Sequence, residues 1–313
     1  MHVTLQQLAY FVAVADVRSF TRAAEYSGVA QPTLSRQLKV LEHELGAPLL
    51  NRGTSVTLTP AGEALLPLAR RMLADAQNAR TAVAEIVGLR RGRLRVGATP
   101  SLCIGVLADV LRLFHRKHPR IHLHLAENGS QALVRELATG GLDVALVIVP
   151  PSGLDPALHI TPLLRERLSV ASPSSTRPPS GRGSMSIVEL GRKPLVMVRE
   201  GYDLREVTLS ACREAGVTPR FAVEGGEMDA MLRLVEAGTG VAVVPDLVFA
   251  GRPRLRRTVL TPPLYRTVAI ARRADIAPTQ VTRAFTDTLL SFLSDGAPTG
   301  GGVAVDVQVL HRW

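Results

Sequence analysis

The sequence predicts an α+α/β chain: an all-helical head, one long helix and a larger α/β half. Three observations predict it. Over the first sixty residues, short segments with apolar side chains at helical spacing are punctuated by Gly28 and Gly46. From Thr59 to about Leu89 a single helical periodicity continues. After Arg90-Arg91-Gly92, short apolar strand candidates alternate with helical segments. At 313 residues the chain is long enough for two cores.

The first helix opens at Thr4, with Gln7 three residues on as a capping box. Leu5, Leu8, Val12 and Ala15 form its expected buried stripe. Ser19 caps the second helix, whose Ala23 and Ala24 admit a close neighbour. Gly28 ends that helix through the left-handed turn conformation. The third helix buries Leu34, Leu38, Leu41 and Leu45 and stops at Gly46. Roughly opposite that stripe lie Pro32, Arg36 and Lys39, flanked by Thr33 and Ser35.

Helix, glycine turn and helix, with a polar face on the second, is the pattern of a DNA reader. Arg36 would take a guanine edge or a phosphate, and Gln31 an adenine edge. Thr33 offers a hydroxyl or a methyl to thymine, and Ser35 suits a phosphate oxygen. The plainer alternative is an ordinary surface helix.

Charge alone does not find this head. The net charge of +10 favours an anionic partner, yet residues 1–58 hold five basic side chains against four acidic ones. Much of the excess lies later, as in Arg252, Arg254, Arg256 and Arg257, which read as a solvated loop. A composition 46% hydrophobic and 20% charged is that of an ordinary soluble protein. No apolar run approaches the ~18 residues that span a bilayer. Met1-His2-Val3-Thr4 leads straight into an amphipathic helix rather than a signal peptide. The cytoplasm is therefore the expected location, with no membrane partner. Cys103 and Cys212 fit a reducing compartment and exclude a disulfide framework or a zinc finger. Both read as buried structural thiols, with a redox switch as the alternative.

The head resembles the LysR-type transcriptional regulators. The matching residues are Leu5-Gln6-Gln7-Leu8, Phe11, Ser19-Phe20, Ala23-Ala24, Gln31-Pro32, Ser35-Arg36, Leu41-Glu42, Leu45-Gly46, Pro48-Leu49, Arg52 and Leu58-Thr59-Pro60-Ala61-Gly62. The resemblance implies a winged helix-turn-helix over 1–59, with residues 51–58 as a β wing beside the minor groove. The candidate DNA contacts are Gln31, Pro32, Thr33, Ser35, Arg36, Lys39 and, in the wing, Arg52. Three positions depart from the pattern. Ser27 stands where the family usually has a buried leucine, and Ala30 replaces the usual Ser or Thr cap. The wing is one residue short and lacks the arginines common there. A weak nonspecific affinity with a shallow salt dependence follows.

Thr59-Pro60 supplies an N-cap and a first-turn proline for the long helix. Leu65, Ala69, Met72, Ala76, Ala79, Val83 and Ile86 alternate spacings of 4 and 3, a seam for a partner helix. By the resemblance, residues 60–90 are a linker helix that pairs two chains into a homodimer or a dimer of dimers.

In the second half, 93–98, 121–126, 142–148, 195–198, 220–224 and 240–244 read as strands in largely parallel sheets. Helical segments lie near 102–117, 130–139, 203–215 and 227–237, and 172–184 reads as a mobile loop. The resemblance implies a two-lobed, periplasmic-binding-protein-like effector domain over 91–295. Lobe one would be 92–161 with 268–295, and lobe two 162–267, hinged near 161–167 and 264–268. Ligands in such sheets sit at the carboxyl ends of strands. There Thr99-Pro100-Ser101 and Asn128-Gly129-Ser130 face lobe one's side of a cleft, and Met197, Tyr202, Asp203 and Glu227 line lobe two's. Hydroxyls and helix N-termini suit a small anionic effector. Simple helix capping is the alternative for each hydroxyl.

No enzyme signature competes: Gly-x-Ser-x-Gly, Walker A and His-Glu-x-x-His are absent, and no cofactor is implied. His115, His118, His122 and His124 straddle a helix end, Pro119 and a strand, so they do not share one face, and no metal is expected. The tail, 296–313, is Gly-rich and then alternates as an extra strand would, or it is disordered. The expected partners are a double-stranded DNA operator, a small effector, a second copy and RNA polymerase. The rival readings are a cytoplasmic solute-binding or metabolic protein with a helical assembly domain, and a thiol-based redox-sensing regulator.

Overall fold

The computed structural model describes residues 2–53, 55–86, 92–150, 153, 155–178, 183–295 and 307–310. It divides into two compact units, Met1–Leu89 with Ala138–Gly141, and Arg90–Leu137 with Leu142–Trp313.

The first unit holds α1 (Leu5–Val17), α2 (Phe20–Tyr26), α3 (Gln31–Leu45), β1 (Leu50–Arg52), β2 (Val56–Leu58) and α4 (Pro60–Ile86). The capping box forms as expected, Thr4 and Gln7 exchanging hydrogen bonds, and the Ser19 hydroxyl accepts from the Arg22 amide. Gly28 and Gly46 turn the chain at positive φ, 65° and 70°. The core joins Leu8, Phe11 and Val14 to Ala23, Ala24, Leu34, Leu38 and Leu41, with Leu45 packed at its edge. This corrects the expected stripe of α1, because Leu5 is 46% exposed. The bulky Phe11 sets the buried face, contributing about 2–3 kcal/mol on burial.

The wing is an antiparallel hairpin pairing Leu50 with Leu58 and Arg52 with Val56. Its base is held by the Glu42 carboxylate, which accepts from the Leu49 and Leu50 amides at 2.9 and 3.3 Å. Thr59 donates to the Pro48 carbonyl and accepts from the Gly62 amide, which fixes the start of α4. A Cβ on Gly62 would meet the Leu49 carbonyl oxygen at 2.1 Å, so only glycine fits there. The helix continues through Pro67 for 27 residues, about 40 Å.

The second unit begins with β3 (Gly92–Ala98), α5 (Pro100–Leu102), a π-helical turn (Cys103–Leu107), α6 (Ala108–Lys117), β4 (Ile121–Glu127), α7 (Ser130–Ala138) and β5 (Val144–Val149). It continues through β6 (Leu158–Pro173), β7 (Ser184–Ser186), α8 (Ile187–Gly191), β8 (Pro194–Val198), α9 (Asp203–Glu214), β9 (Arg220–Gly226), α10 (Met228–Glu236) and β10 (Ala242–Pro245). A 3-10 turn (Asp246–Phe249), β11 (Leu255–Arg273), α11 (Gln280–Ser294) and β12 (Val307–Val309) complete it.

The sheets are mixed rather than largely parallel. The main sheet runs β10-β6-β11-β5-β3-β4, and β8-β9 is a separate parallel pair. The βα repeats produce the parallel pairs β3/β4, β3/β5 and β8/β9. The long β6 and β11 pair antiparallel along most of their length. They pass between two cores. One contains Val96, Val110, Phe114, Phe285 and Leu289, and the other Val198, Leu232, Val235, Val244 and Phe249. We call these two halves lobes one and two. Both expected hinge segments fall within β6 and β11.

At that crossing Glu166 is fully buried. It accepts from Arg266 Nε at 2.8 Å and Nη2 at 2.5 Å, and from the Leu247 amide at 3.4 Å. Asp246, also buried, pairs with Arg257. Three of the four clustered arginines, Arg252, Arg256 and Arg257, are therefore structural, while Arg254 is exposed as a solvated loop residue would be. Arg252 pairs with Asp229 and Glu236, and Arg256 donates to the carbonyls of Pro173, Ser174 and Thr176. The segment expected to be mobile is thus anchored at its start, and its residues 179–182 lie outside the described ones. In the tail, β12 pairs antiparallel with β6 at Leu164–Glu166. Residues 296–306 and 311–313, including Trp313, lie outside the described residues.

Candidate functional site

The reading face of α3 is built by what it buries. With Leu34, Leu38 and Leu41 fully enclosed, Gln31, Pro32, Thr33, Arg36 and Lys39 stand exposed, and Ser35 is half-buried. Ala30 makes no side-chain cap, as expected. Its absence matters less than the sequence implies. Pro32 has no N–H to satisfy, and the Thr33 amide donates back to the Ala30 carbonyl at 3.0 Å. Ser27, at the end of α2, is half-buried, and its amide donates to the Ala23 carbonyl. Tyr26, absent from the predicted contacts, stands almost fully exposed beside the turn. Nothing in its sequence context marks it, because a terminal aromatic normally belongs to the core. Arg52 lies on β1, but its side chain falls outside the described residues.

The predicted seam of α4 splits in two. Ala69 is fully buried in the unit's own core, and Leu65 packs against the same core. Ala69 is therefore not free for a partner, and Leu65 is only half-exposed. Ala76 is half-buried, Ala79 is exposed, and the Ile86 side chain lies outside the described residues. The exposed apolar stripe is Leu68 (52%), Met72 (47%) and Val83 (62%).

In the second unit, the predicted effector residues sit at or near the carboxyl ends of β3, β4, β8 and β9. Thr99, Pro100 and Ser101 are buried directly after β3. Thr99 occupies the cap position of α5 yet makes no cap hydrogen bond, and its Oγ1 has no partner among the described residues. Capping is therefore not what this hydroxyl does. The Ser130 Oγ accepts from the Ile148 amide at 2.9 Å and donates to Asp203 at 2.6 Å. Asn128 Oδ1 accepts from the Gly129 amide at 3.0 Å and from Arg199 at 3.3 Å.

Arg199 lies outside the predicted set, although it directly follows a strand as Thr99 does, and it joins several of that set's residues. Its guanidinium donates to Glu227 at 2.6 Å and lies 4.3 Å over the Tyr202 ring. The Tyr202 hydroxyl donates to the other Glu227 oxygen. Burial, and then the Glu227 carboxylate, push the Tyr202 phenol up to about 12. The Tyr202 hydroxyl, and then Arg199, hold the Glu227 carboxyl below its usual range. Met197 is enclosed in the lobe-two core, so it supports the site from behind.

Comparison with known proteins places both units. Residues 5–63 match the model described as "Bacterial regulatory helix-turn-helix protein, lysR family", and residues 88–294 match the "LysR substrate binding domain". The chain is 33% identical over 249 residues to an uncharacterized HTH-type transcriptional regulator, YnfL, of Escherichia coli strain K12, covering 78% of this chain and 83% of that one. It is also 33% identical over 257 residues to a probable hydrogen peroxide-inducible genes activator of Mycobacterium avium, covering 80% and 82%. Among solved structures it resembles full-length CbnR in complex with its target DNA. That likeness has a TM-score of 0.67 at 28% identity and covers 92% of this chain and 99% of that one. These matches are to transcription regulators rather than enzymes. The chain belongs to the LysR family of transcriptional regulators, with a helix-turn-helix DNA-binding domain followed by an effector-binding domain.

Proposed function

We propose that this regulator reads its operator with Gln31, Pro32, Thr33, Ser35, Arg36 and Lys39 of α3, together with Arg52 of the wing. The observation that carries this is the division of α3, whose apolar face is fully enclosed while its polar face is unobstructed. Residues 1–59 form the reader, 60–90 the linker, whose described helix is Pro60–Ile86, and 91–295 the effector domain. The exposed stripe of Leu68, Met72, Ala79 and Val83 supports pairing of two chains, and a dimer of dimers and RNA polymerase follow as further partners. No helix among the described residues is long and apolar enough to cross a membrane. A regulator that binds chromosomal DNA acts in the cytoplasm.

The small effector enters between the lobes. The unpartnered, buried hydroxyl of Thr99 supports contact there, beside Ser101. An effector that binds the two arrangements of the lobes unequally shifts their balance and with it the spacing of the readers.

Genome-wide mapping of bound sites tests the first part. The wild-type chain should occupy a defined set of paired half-sites. Arg36→Ala should lose about 1–3 kcal/mol and relax preference at one base pair in each half-site. Uniform occupancy by both proteins would refute base reading by α3.

A further inference from the structure

The junction between the lobes already holds a carboxylate, and it belongs to the protein. Asp203, the first residue of α9 in lobe two, places Oδ2 2.6 Å from Ser130 Oγ and 3.4 Å from the Ser130 amide nitrogen. Ser130 is the first residue of α7 in lobe one. Its hydroxyl has one proton to give, and the Ile148 amide already donates to its oxygen, which leaves that proton for Asp203. The residue before α7 is Gly129, which has no side chain with which to cap the helix. The first amide of α7 and the positive end of its dipole therefore face the carboxylate from the opposite lobe.

Two neighbouring contacts hold the same junction. A Cβ on Gly129 would lie 2.0 Å from the Gly201 carbonyl oxygen, so the two backbones meet too closely for any side chain at 129. Arg199 reaches across to Asn128. All three contacts join residues 128–130 of lobe one to residues 199–203 of lobe two.

We propose that Asp203 is a built-in ligand. Its carboxylate takes the seat at the N-terminus of α7 that a bound carboxylate would take, and it holds the lobes together with no effector present. An effector carrying a carboxylate must then displace Asp203 from Ser130 or bind elsewhere, at the Thr99–Ser101 end. Only the naming of the competitor as an effector rests on the reading of this cleft given above.

The test uses the full-length chain and acetate as the probe. Amide hydrogen exchange is followed over residues 128–131, 147–149 and 199–205. In Asp203→Ala, exchange over these segments should rise about tenfold, the loss of one charge-assisted hydrogen bond. Sodium acetate should reverse the rise, and sodium chloride at equal ionic strength should not. Asp203→Asn, which keeps the shape and loses the charge, should fall between the two. Unchanged exchange in Asp203→Ala overturns the proposal. So does a rise that acetate leaves in place while thermal unfolding stays cooperative, or wild-type exchange in Asp203→Asn. If acetate restores protection and no metabolite shifts operator binding, the latch stands and the effector reading falls. If metabolites act but acetate does not, the latch falls and the effector reading stands.

Discussion

Cys103 lies on the π-helical turn after Ser101, packed against the lobe-one core, with its sulfur 3.8 Å from the Ala98 carbonyl oxygen. Burial, and then the nearby Glu127 carboxylate, push its thiol up to about 12. At pH 7 only about one such thiol in 10⁵ is ionised, and the thiolate is the reactive form. Cys212 is buried in the other core, and burial raises its thiol as well. Cys103 is half-buried against one core and Cys212 is buried in the other, so joining the two sulfurs would require the lobe-two core to open. Oxidant should therefore leave operator affinity the same in the wild-type chain and in Cys103→Ser/Cys212→Ser. A peroxide response lost in the double variant would establish redox sensing instead. Glu166 illustrates a different use of burial. Desolvation raises its carboxyl against the pull of Arg266. Removing the arginine leaves a buried acid whose folded pKa lies further above its unfolded value of about 4.3. The stability such a group contributes is complete below the unfolded value and disappears as pH rises through the folded one. Arg266→Met should therefore lose about 3–5 kcal/mol at pH 8 and less at pH 5. Urea midpoints at the two pH values check this, and an equal deficit at both would refute it.

Among the elements, α4 shows how far periodicity can be read. Its 4-and-3 spacing is visible in the sequence, but the spacing does not say which stripe meets which neighbour. Leu65 and Ala69 satisfy a heptad and also the side of α1, and the local core claims them. The stripe left exposed runs through Leu68 and Met72. Met72→Asp should give monomers that keep the folded head, as measured by sedimentation and circular dichroism. Leu65→Asp should instead destabilise the head by about 2–4 kcal/mol. Folded monomers from both variants would restore the original seam. The reader was legible because its signals are local: a capping box at Thr4, a cap at Ser19, left-handed glycines at 28 and 46, and leucines at i, i+4 and i+7. The short strands of the βα repeats were legible for the same reason. β6 and β11 were not, because Arg165-Glu166-Arg167 and Thr261-Pro262-Pro263 interrupt their apolar pattern. The charges in β6 find partners far along the chain, such as Leu247 and Arg266 for Glu166.

In the molecule as a whole, the cleft was legible as a set of positions but not as a network. Strand ends followed by helix starts marked Thr99, Asn128, Ser130, Tyr202 and Asp203. That Asp203 meets Ser130, and that Arg199 ties Asn128 to Glu227, depends on how two distant segments face each other. The same network limits what a ligand can do, since Arg199 and both carboxylates already have partners. The two lobes share β6 and β11, which are hydrogen-bonded to each other along most of their length with a register shift between Val259 and Leu264. A paired ribbon twists and bends at little cost, but sliding one strand past the other breaks its rungs together. The shared ribbon therefore favours swinging of the lobes over shear, so that what one lobe passes to the other through it is an angle.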